Sequence, residues 1–168
     1  MPRTPVASTA PRRLALFGVL AWIAAGAQPA RAEPAAIAGS WATRGFGSVV
    51  ELRPCVEGGD TWCGRIVWLW EPNDADGRPR LDEHHPDDAL RARPLLGIEI
   101  LRGLRESAPG EWTEGEVYNP DDGRTYTGRV RLRAGALELT GCALRFFCQT
   151  QTWRRPADVF AALGKLGR

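Results

Sequence analysis

The strongest constraint on the fold is a strand-like alternation in residues 125–133. Tyr126, Gly128, Val130 and Leu132 occupy the even positions, and threonine or arginine occupies the odd ones. A period of two puts successive side chains on opposite faces of a strand, so one face is buried and the other meets water. The segment is therefore predicted to be a strand of an antiparallel sheet with one solvated face.

Shorter runs with the same character recur along the chain, and turn-forming clusters separate them. A first strand opens at Gly39-Ser40-Trp41, and a seventh carries Leu137 and Leu139. Eight short strands joined mostly by tight turns predict an antiparallel up-and-down barrel, with a sandwich as the alternative. The barrel is preferred because closure leaves no bare edge strand. The other predicted strands cover residues 48–54, 62–70, 97–104, 111–118 and 148–154.

A long polar stretch, residues 82–97, interrupts the strands, and we call it the excursion. Pro86 suits the first turn of a helix, so a helix of about two turns is predicted over one barrel mouth. An Asp87–Arg91 ion pair, four residues apart, would support it. Residues 156–166 have helical spacing and predict a second helix at the C-terminal end.

Two interpretations of the excursion stay open. It is either a structural plug, with three leucines packing inward, or a ligand lid or docking surface. The leucines are Leu90, Leu95 and Leu96, and the lid or interface candidates are Asp82, His85, Asp87, Arg91 and Arg93.

Residues 1–32 are predicted to be a removed export signal. Arginines precede an unbroken apolar run over residues 14–27, and Ala30-Arg31-Ala32 has the small-x-small form of a signal-peptidase site. The run is shorter than the ~20 residues that span a bilayer, which disfavours the alternative of a membrane anchor. A single mature domain, residues 33–168, is then expected in the periplasm or outside the cell, without a membrane span.

The charge balance argues against a nucleic-acid partner. Of 22 Lys and Arg, four lie in the signal, which leaves 18 against 20 Asp and Glu. The mature chain is thus slightly acidic, whereas nucleic-acid binding demands a clustered basic face.

Four cysteines lie in the exported part, where disulfides persist. The pairs Cys55–Cys63 and Cys142–Cys148 are favoured because each brackets a short turn and joins positions on one face of adjacent strands. A structural zinc site is the alternative, but neither spacing is the short C-x₂₋₄-C that such sites use. No metal and no cofactor is expected.

A family resemblance rests on residues spread along the mature chain. They are Gly39-Ser40-Trp41, Cys63–Leu69, Asp82, Pro86-Asp87, Leu90-Arg91, Arg93–Gly97, Gly115, Tyr118-Asn119-Pro120, Asp122-Gly123, Thr125-Tyr126 and Gln149–Trp153. In these residues the chain resembles the small secreted bacterial proteins grouped as domain of unknown function 2147. This resemblance implies a lipocalin-like barrel of unsettled activity, and it brings no catalytic residue. The sequence departs from the family pattern at His85, because the family has Asn, a good helix cap, before the Pro-Asp pair.

The Gly39-x-Trp41 pattern is also similar to the motif that opens the first strand of lipocalins, in which a late arginine stacks on the tryptophan. Arg154 is the expected stacking partner here. A simple plug role for Trp41 predicts the same structure.

A ligand site is predicted inside the barrel, where aromatic walls and a few polar groups describe a small-molecule pocket. Buried glutamines need hydrogen-bond partners, which a ligand would supply. The alternative is a solid barrel filled by the same side chains. The candidates are Trp68, Trp112, Tyr118, Tyr126, Gln149 and Gln151.

An enzyme is the third possibility considered. Glu114 and Glu116, if both face inward, would form a carboxylate pair with separated pKa values. His84 and His85, with the nearby aspartates, would supply a base or metal ligands, but adjacent residues point apart.

The leading prediction is therefore a non-catalytic exported barrel that binds a small, partly apolar ligand. A structural or partner-binding envelope protein, with its partner unknown, is the alternative.

Overall fold

The computed structural model of the protein describes residues 36–144 and 146–166, so the predicted export signal lies outside them. Eight strands dominate this part of the chain, followed by one α-helix, α1 (Pro156–Leu166). The strands are β1 (Gly39–Ala42), β2 (Ser48–Pro54), β3 (Thr61–Leu69), β4 (Glu99–Ala108), β5 (Glu111–Asn119), β6 (Arg124–Arg133), β7 (Ala136–Ala143) and β8 (Phe147–Trp153).

Each strand pairs antiparallel with the next one along the chain, in the order β1 to β8, within one sheet. The sheet curls into a half-barrel. A bridge between Ala42 and Arg154, with N–H···O distances of 2.8 and 3.1 Å, joins the end of β1 to the residue after β8. The predicted up-and-down lipocalin-like architecture is confirmed, with three strands before the excursion and five after it.

β-bulges change which side chains face the core, and two of them, in β5 and β3, bear on the predicted site residues; neither of these two was predicted. In β5, Trp112 pairs with Val130 but Gly115 pairs with Gly128, so β5 holds one extra residue there. Glu114, within this bulge, has φ 61°. Because one extra residue reverses the alternation, Gly115 rather than Glu114 shares a face with Trp112.

The bulge in β3 acts in the same way on Trp68. Ile66 pairs with Val50, whereas Trp68 pairs with Val49, so Val67 is the extra residue. Val49 and Val50 are adjacent on β2 and point to opposite faces, and each cross-strand partner lies on the same face as the residue with which it pairs. Trp68 was predicted to point inward beside Ile66; it lies on the outer face instead.

Glycines let the sheet bend tightly around its core. A Cβ built on Gly115 would lie 2.5 Å from Leu104 Cδ2, and one built on Gly128 would lie 2.6 Å from Val117 Cγ2. Side chains from neighbouring strands therefore cover these two glycines, so a larger residue at either position would force those side chains to move.

Tryptophans from three strands anchor the core. Trp41, Trp112 and Trp153 are all buried, and the Trp41 indole N–H donates to the carbonyl of Ile37 at 2.8 Å. Burial of one large apolar side chain contributes about 1.5–3 kcal/mol, so these rings and their aliphatic neighbours supply much of the favourable free energy of folding.

Both predicted disulfides are confirmed. Cys55–Cys63 closes the β2–β3 hairpin with a Cα–Cα distance of 4.9 Å, and Cys142–Cys148 closes the β7–β8 hairpin at 4.0 Å. In the chain-entropy model, loops this short yield about 2.5 kcal/mol of stability per bridge.

The C-terminal helix α1 has the predicted bounds, and Pro156 occupies its first position, where a missing N–H costs nothing. Phe160 of α1 meets Phe46 edge-on, with ring centroids 5.3 Å apart. Phe46 also contacts Trp68 at 5.0 Å, so aromatic contacts hold α1 near the outer face. No helix in the described residues is long and apolar enough to cross a membrane.

Candidate functional site

A buried aspartate organises the base of the excursion. Asp82 is fully buried, and its Oδ2 accepts hydrogen bonds from Arg93 Nε at 2.9 Å and Nη2 at 2.7 Å. Its Oδ1 accepts from the Tyr118 hydroxyl at 2.5 Å. Both carboxylate oxygens are thus satisfied by donors, which a buried charge requires.

The backbone closes the excursion at the same point. The Asp82 N–H donates to the Arg93 carbonyl at 3.0 Å, and Leu81 forms an isolated bridge with Pro94. Residues 82 to 93 therefore form a loop whose two ends are held by both main-chain and side-chain bonds. Tyr118 ties that loop to β5.

The environment of Tyr118 keeps its phenol protonated. Burial, followed by the hydrogen bond to Asp82 and the charge of that carboxylate, raises the pKa of Tyr118 to about 12. The Arg93 guanidinium lies 5.8 Å from the ring centroid, and the His85 ring lies 5.5 Å away. Tyr118 thus contacts three excursion side chains.

The excursion contains a single 3-10 turn, Asp88–Leu90, rather than the predicted two-turn helix. Asp87 is its cap, because the Asp87 Oδ1 accepts from the Ala89 N–H at 3.0 Å. Arg91 pairs with Asp88 at 2.7 Å, not with Asp87 as predicted. Once Asp87 serves as the cap, its carboxylate turns toward the backbone and away from Arg91.

His85 takes over part of the capping role that Asn would have. Its Nδ1 accepts a hydrogen bond from the Asp87 N–H at 3.0 Å, and the His85 carbonyl accepts from Arg91 Nε at 2.7 Å. His85 therefore orders the turn through both its ring and its carbonyl.

Gly123 holds the excursion against the β5–β6 turn. A Cβ built on it would lie 1.8 Å from the His84 carbonyl oxygen, and its φ is +68°. Close approach and positive φ both demand glycine here. Of the leucines predicted to pack inward, Leu95 packs against the core, whereas Leu90 and Leu96 are exposed.

A cavity of about 240 Å³ lies beside the Asp82–Arg93–Tyr118 network. His85, Leu90 and Arg93 of the excursion line one side, and residues of β4 to β6 line the other. The strand residues are Glu99, Ile100, Arg102, Glu116, Tyr118 and Thr125.

The inner face of the half-barrel brings together four of the six predicted ligand-binding residues. Trp112, Val130, Leu139 and Gln151 are direct cross-strand neighbours, in that order. Gly115, Gly128, Gly141 and Gln149 form the next such row, and Tyr126 lies on this face of β6 beyond Gly128.

These four residues differ in exposure. Trp112 is buried, Tyr126 is half-buried, and Gln149 and Gln151 are open to solvent. Gln151 accepts a hydrogen bond from the Trp153 indole N–H at 3.3 Å. The structure does not bring the remaining two predicted residues to this face, since Tyr118 lies under the excursion and Trp68 lies outside.

The carboxylates on which the enzyme prediction depended do not face the core. Glu114 and Glu116 are both exposed, because the β5 bulge turns them away from the side that Trp112 occupies. Within residues 36–144 and 146–166, no three His, Cys, Asp or Glu side chains are placed to hold a metal ion.

One polar atom in the core was not anticipated. The Trp112 indole N–H is buried and has no hydrogen-bond acceptor among the described residues. Most buried donors are paired, so an unpaired one needs an explanation. Sequence periodicity marks Trp112 as inward but carries no signal for where its N–H points.

Arg155, not Arg154, stacks on the first tryptophan. Its guanidinium carbon lies 3.7 Å from the Trp41 ring centroid, and Nη1 and Nη2 donate to the carbonyls of Ala38 and Ala36 at 2.9 Å each. Burial lowers the pKa of Arg155. Arg154 was the expected partner, but its backbone forms the bridge to Ala42, which leaves the next residue over the ring.

Comparison with known proteins bears on the fold and the family. The model of a family described as uncharacterized protein conserved in bacteria (DUF2147) matches residues 39–155. Protein HP1028 from the human pathogen Helicobacter pylori, described as belonging to the lipocalin family, is 26% identical. The two structures superpose with a TM-score of 0.58 over 71% of this chain and 82% of that chain. No curated protein matches.

Proposed function

The chain belongs to the DUF2147 family of uncharacterized bacterial proteins, and from that premise we propose that it is an exported protein that binds one small, partly apolar ligand at its inner face. The lipocalin-like fold suggests a ligand-binding barrel. An eight-stranded barrel of this kind has an interior wide enough for side chains or one small ligand.

The observation that carries this proposal is the unpaired indole N–H of Trp112. A buried donor without an acceptor costs about 1–3 kcal/mol, which a ligand acceptor or a bound water would offset. In the proposal the ligand supplies that acceptor.

The exposed end of the same face supplies an entrance. Gln149 and Gln151 place amide groups beside Gly141, whose built Cβ would have only the Tyr126 side chain, at 3.5 Å, within contact distance. Open space over a glycine, walled by an aromatic ring and two amides, suits a ligand with both apolar and polar parts.

Export is supported by two features. Both disulfides fit an oxidising compartment, and residues 1–32 have the composition of a signal peptide. Together these features support the proposed periplasmic or secreted location.

Native mass spectrometry of the purified protein, with organic extraction, tests the binding proposal. We expect a bound compound that disappears in Gly141→Val, because the added methyl groups fill the open space. Gly47→Ala is the control, since nothing lies within 4 Å of a Cβ built there. A folded wild-type protein that carries no extractable compound, or a Gly141→Val variant that keeps it, counts against the proposal.

A partner-binding role in the cell envelope is the second candidate, and one observation favours it. The tip of the β7–β8 hairpin exposes Leu144, Phe146 and Phe147 by 82, 85 and 74%. The adjacent Cys142–Cys148 disulfide holds this tip in place. Exposed apolar clusters often mark interaction sites. Serine substitution of all three should abolish co-purification of an envelope partner while stability is unchanged.

A further inference from the structure

The cavity of about 240 Å³ between the excursion and strands β4 to β6 has its own chemistry. We propose that it is a second ligand site, separate from the inner face, and that it takes a small organic cation with an ammonium group on an apolar body. Glu116 would hold the ammonium group, and Ile100, Leu90 and the Tyr118 ring would contact the apolar body.

Among the described residues, one carboxylate that lines the cavity has no ion-pair partner. Arg93 is already paired with Asp82, and Arg102 Nε donates to Glu99 Oε1 at 2.8 Å. Glu116 lies directly across from Arg102 in the β4–β5 ladder, yet no ion pair joins it to any residue the structure describes. The two arginines are thus neutralised by other acids, and the lining carries a net negative charge at Glu116.

The remaining polar groups do not change this balance. The His85 Nδ1 is occupied by the Asp87 N–H. Tyr118 keeps its proton, which it donates to Asp82. A cationic ligand is therefore favoured over an anion, which would face Glu116 without a free cation to offset the repulsion.

The apolar walls and the volume set the size of the ligand. Ile100 is buried against the core, and Leu90 covers the cavity from the excursion side. The faces of aromatic rings attract cations, so the Tyr118 ring also suits an ammonium group. A volume of about 240 Å³ corresponds to roughly eight water molecules, which fits a ligand of about ten non-hydrogen atoms.

Isothermal titration calorimetry of the purified full-length mature protein tests the inference with two matched probes. Phenethylammonium carries the cation, and phenylacetate carries an anion on a similar body. We expect phenethylammonium to bind at least tenfold more tightly. Equal or tighter binding of phenylacetate, or no binding of phenethylammonium, would overturn the proposal.

Substitutions locate the site. Glu116→Gln should weaken phenethylammonium binding by about three- to fivefold, because Glu116 is exposed and water screens its charge. Glu114→Gln is the control, because Glu114 is exposed on the same strand but does not line the cavity.

Two tryptophan substitutions test the site by steric blocking, which does not depend on charge. Leu90→Trp should block the cavity, whereas Leu96→Trp, an exposed excursion position outside the lining, should leave binding unchanged. Binding that survives both Glu116→Gln and Leu90→Trp would place the amine elsewhere and refute the assignment.

Discussion

Replacing Asp82 by Asn tests whether its buried carboxylate holds the excursion on the sheet. The amide keeps the shape of the side chain but removes the charge that faces Arg93. It also presents an NH₂ group where Arg93 and Tyr118 both direct donors toward Asp82. One of those donors, and the Arg93 charge, would be left uncompensated.

The size of the effect follows from the burial of the pair. Breaking a buried ion pair by removal of one partner costs about 3–5 kcal/mol. The Arg93 side chain is 28% exposed, so water offsets part of that loss and we expect about 2–3 kcal/mol. For a domain of this size the melting temperature should fall by about 6–12 °C.

Thermal unfolding followed by near-ultraviolet circular dichroism, with the disulfides intact, measures this change. Asp88→Asn is the matched control, because the Asp88 side chain is 84% exposed and its pair with Arg91 is also on the surface. Its effect should stay within about 0.5 kcal/mol. Equal losses for Asp82→Asn and Asp88→Asn would refute the buried-network argument.

Two further predictions concern the same region. The chain has only two tyrosines, so ultraviolet titration of Tyr126→Phe reports Tyr118 alone, and its pKa should lie near 12 instead of 10.0. Because the folded value is raised, the folded state loses stability as pH rises through this interval, and Tyr118→Phe should remove that loss. Normal titration near 10 would contradict the contact with Asp82. Gly123→Ala should displace the excursion from the His84 carbonyl and speed hydrogen exchange in residues 82–97, whereas Gly77→Ala, also at positive φ but with nothing within 4 Å, should cost only backbone strain. Equal exchange in both variants would refute the close-packing argument.

Local patterns predicted the architecture because strands and disulfides depend on short-range geometry. The alternation in residues 125–133 placed β6 correctly, and face parity paired Cys142 with Cys148. Tight turns between consecutive strands then left the meander as the simplest topology. The eight strands and α1 follow from such signals.

The faces of individual side chains could not be predicted where a bulge intervenes. Glu114 adopts φ 61° without being glycine, and Val67 is an ordinary strand residue, so neither residue type indicates a bulge. Each bulge reverses the alternation beyond it. The expected positions of Trp68 and Tyr118 were wrong for that reason alone.

The Asp82–Arg93–Tyr118 network could not be predicted from local sequence patterns, for a different reason. Asp82 and Tyr118 are 36 residues apart, and their contact depends on how the excursion folds back over β5. Gly123 carried a clue, because a glycine after Asp-Asp can be a turn residue or a point of close packing. Only the structure shows that the His84 backbone packs against it.

The indole N–H resonance of Trp112 tests the central claim most directly. In ¹⁵N-labelled protein the signal is assigned by its loss in Trp112→Phe, and spectra are compared before and after extraction and after the extract is returned. Ligand binding at the inner face predicts that this resonance shifts on extraction and recovers with the extract. An unchanged Trp112 signal in protein that has demonstrably lost and regained its ligand would contradict binding there.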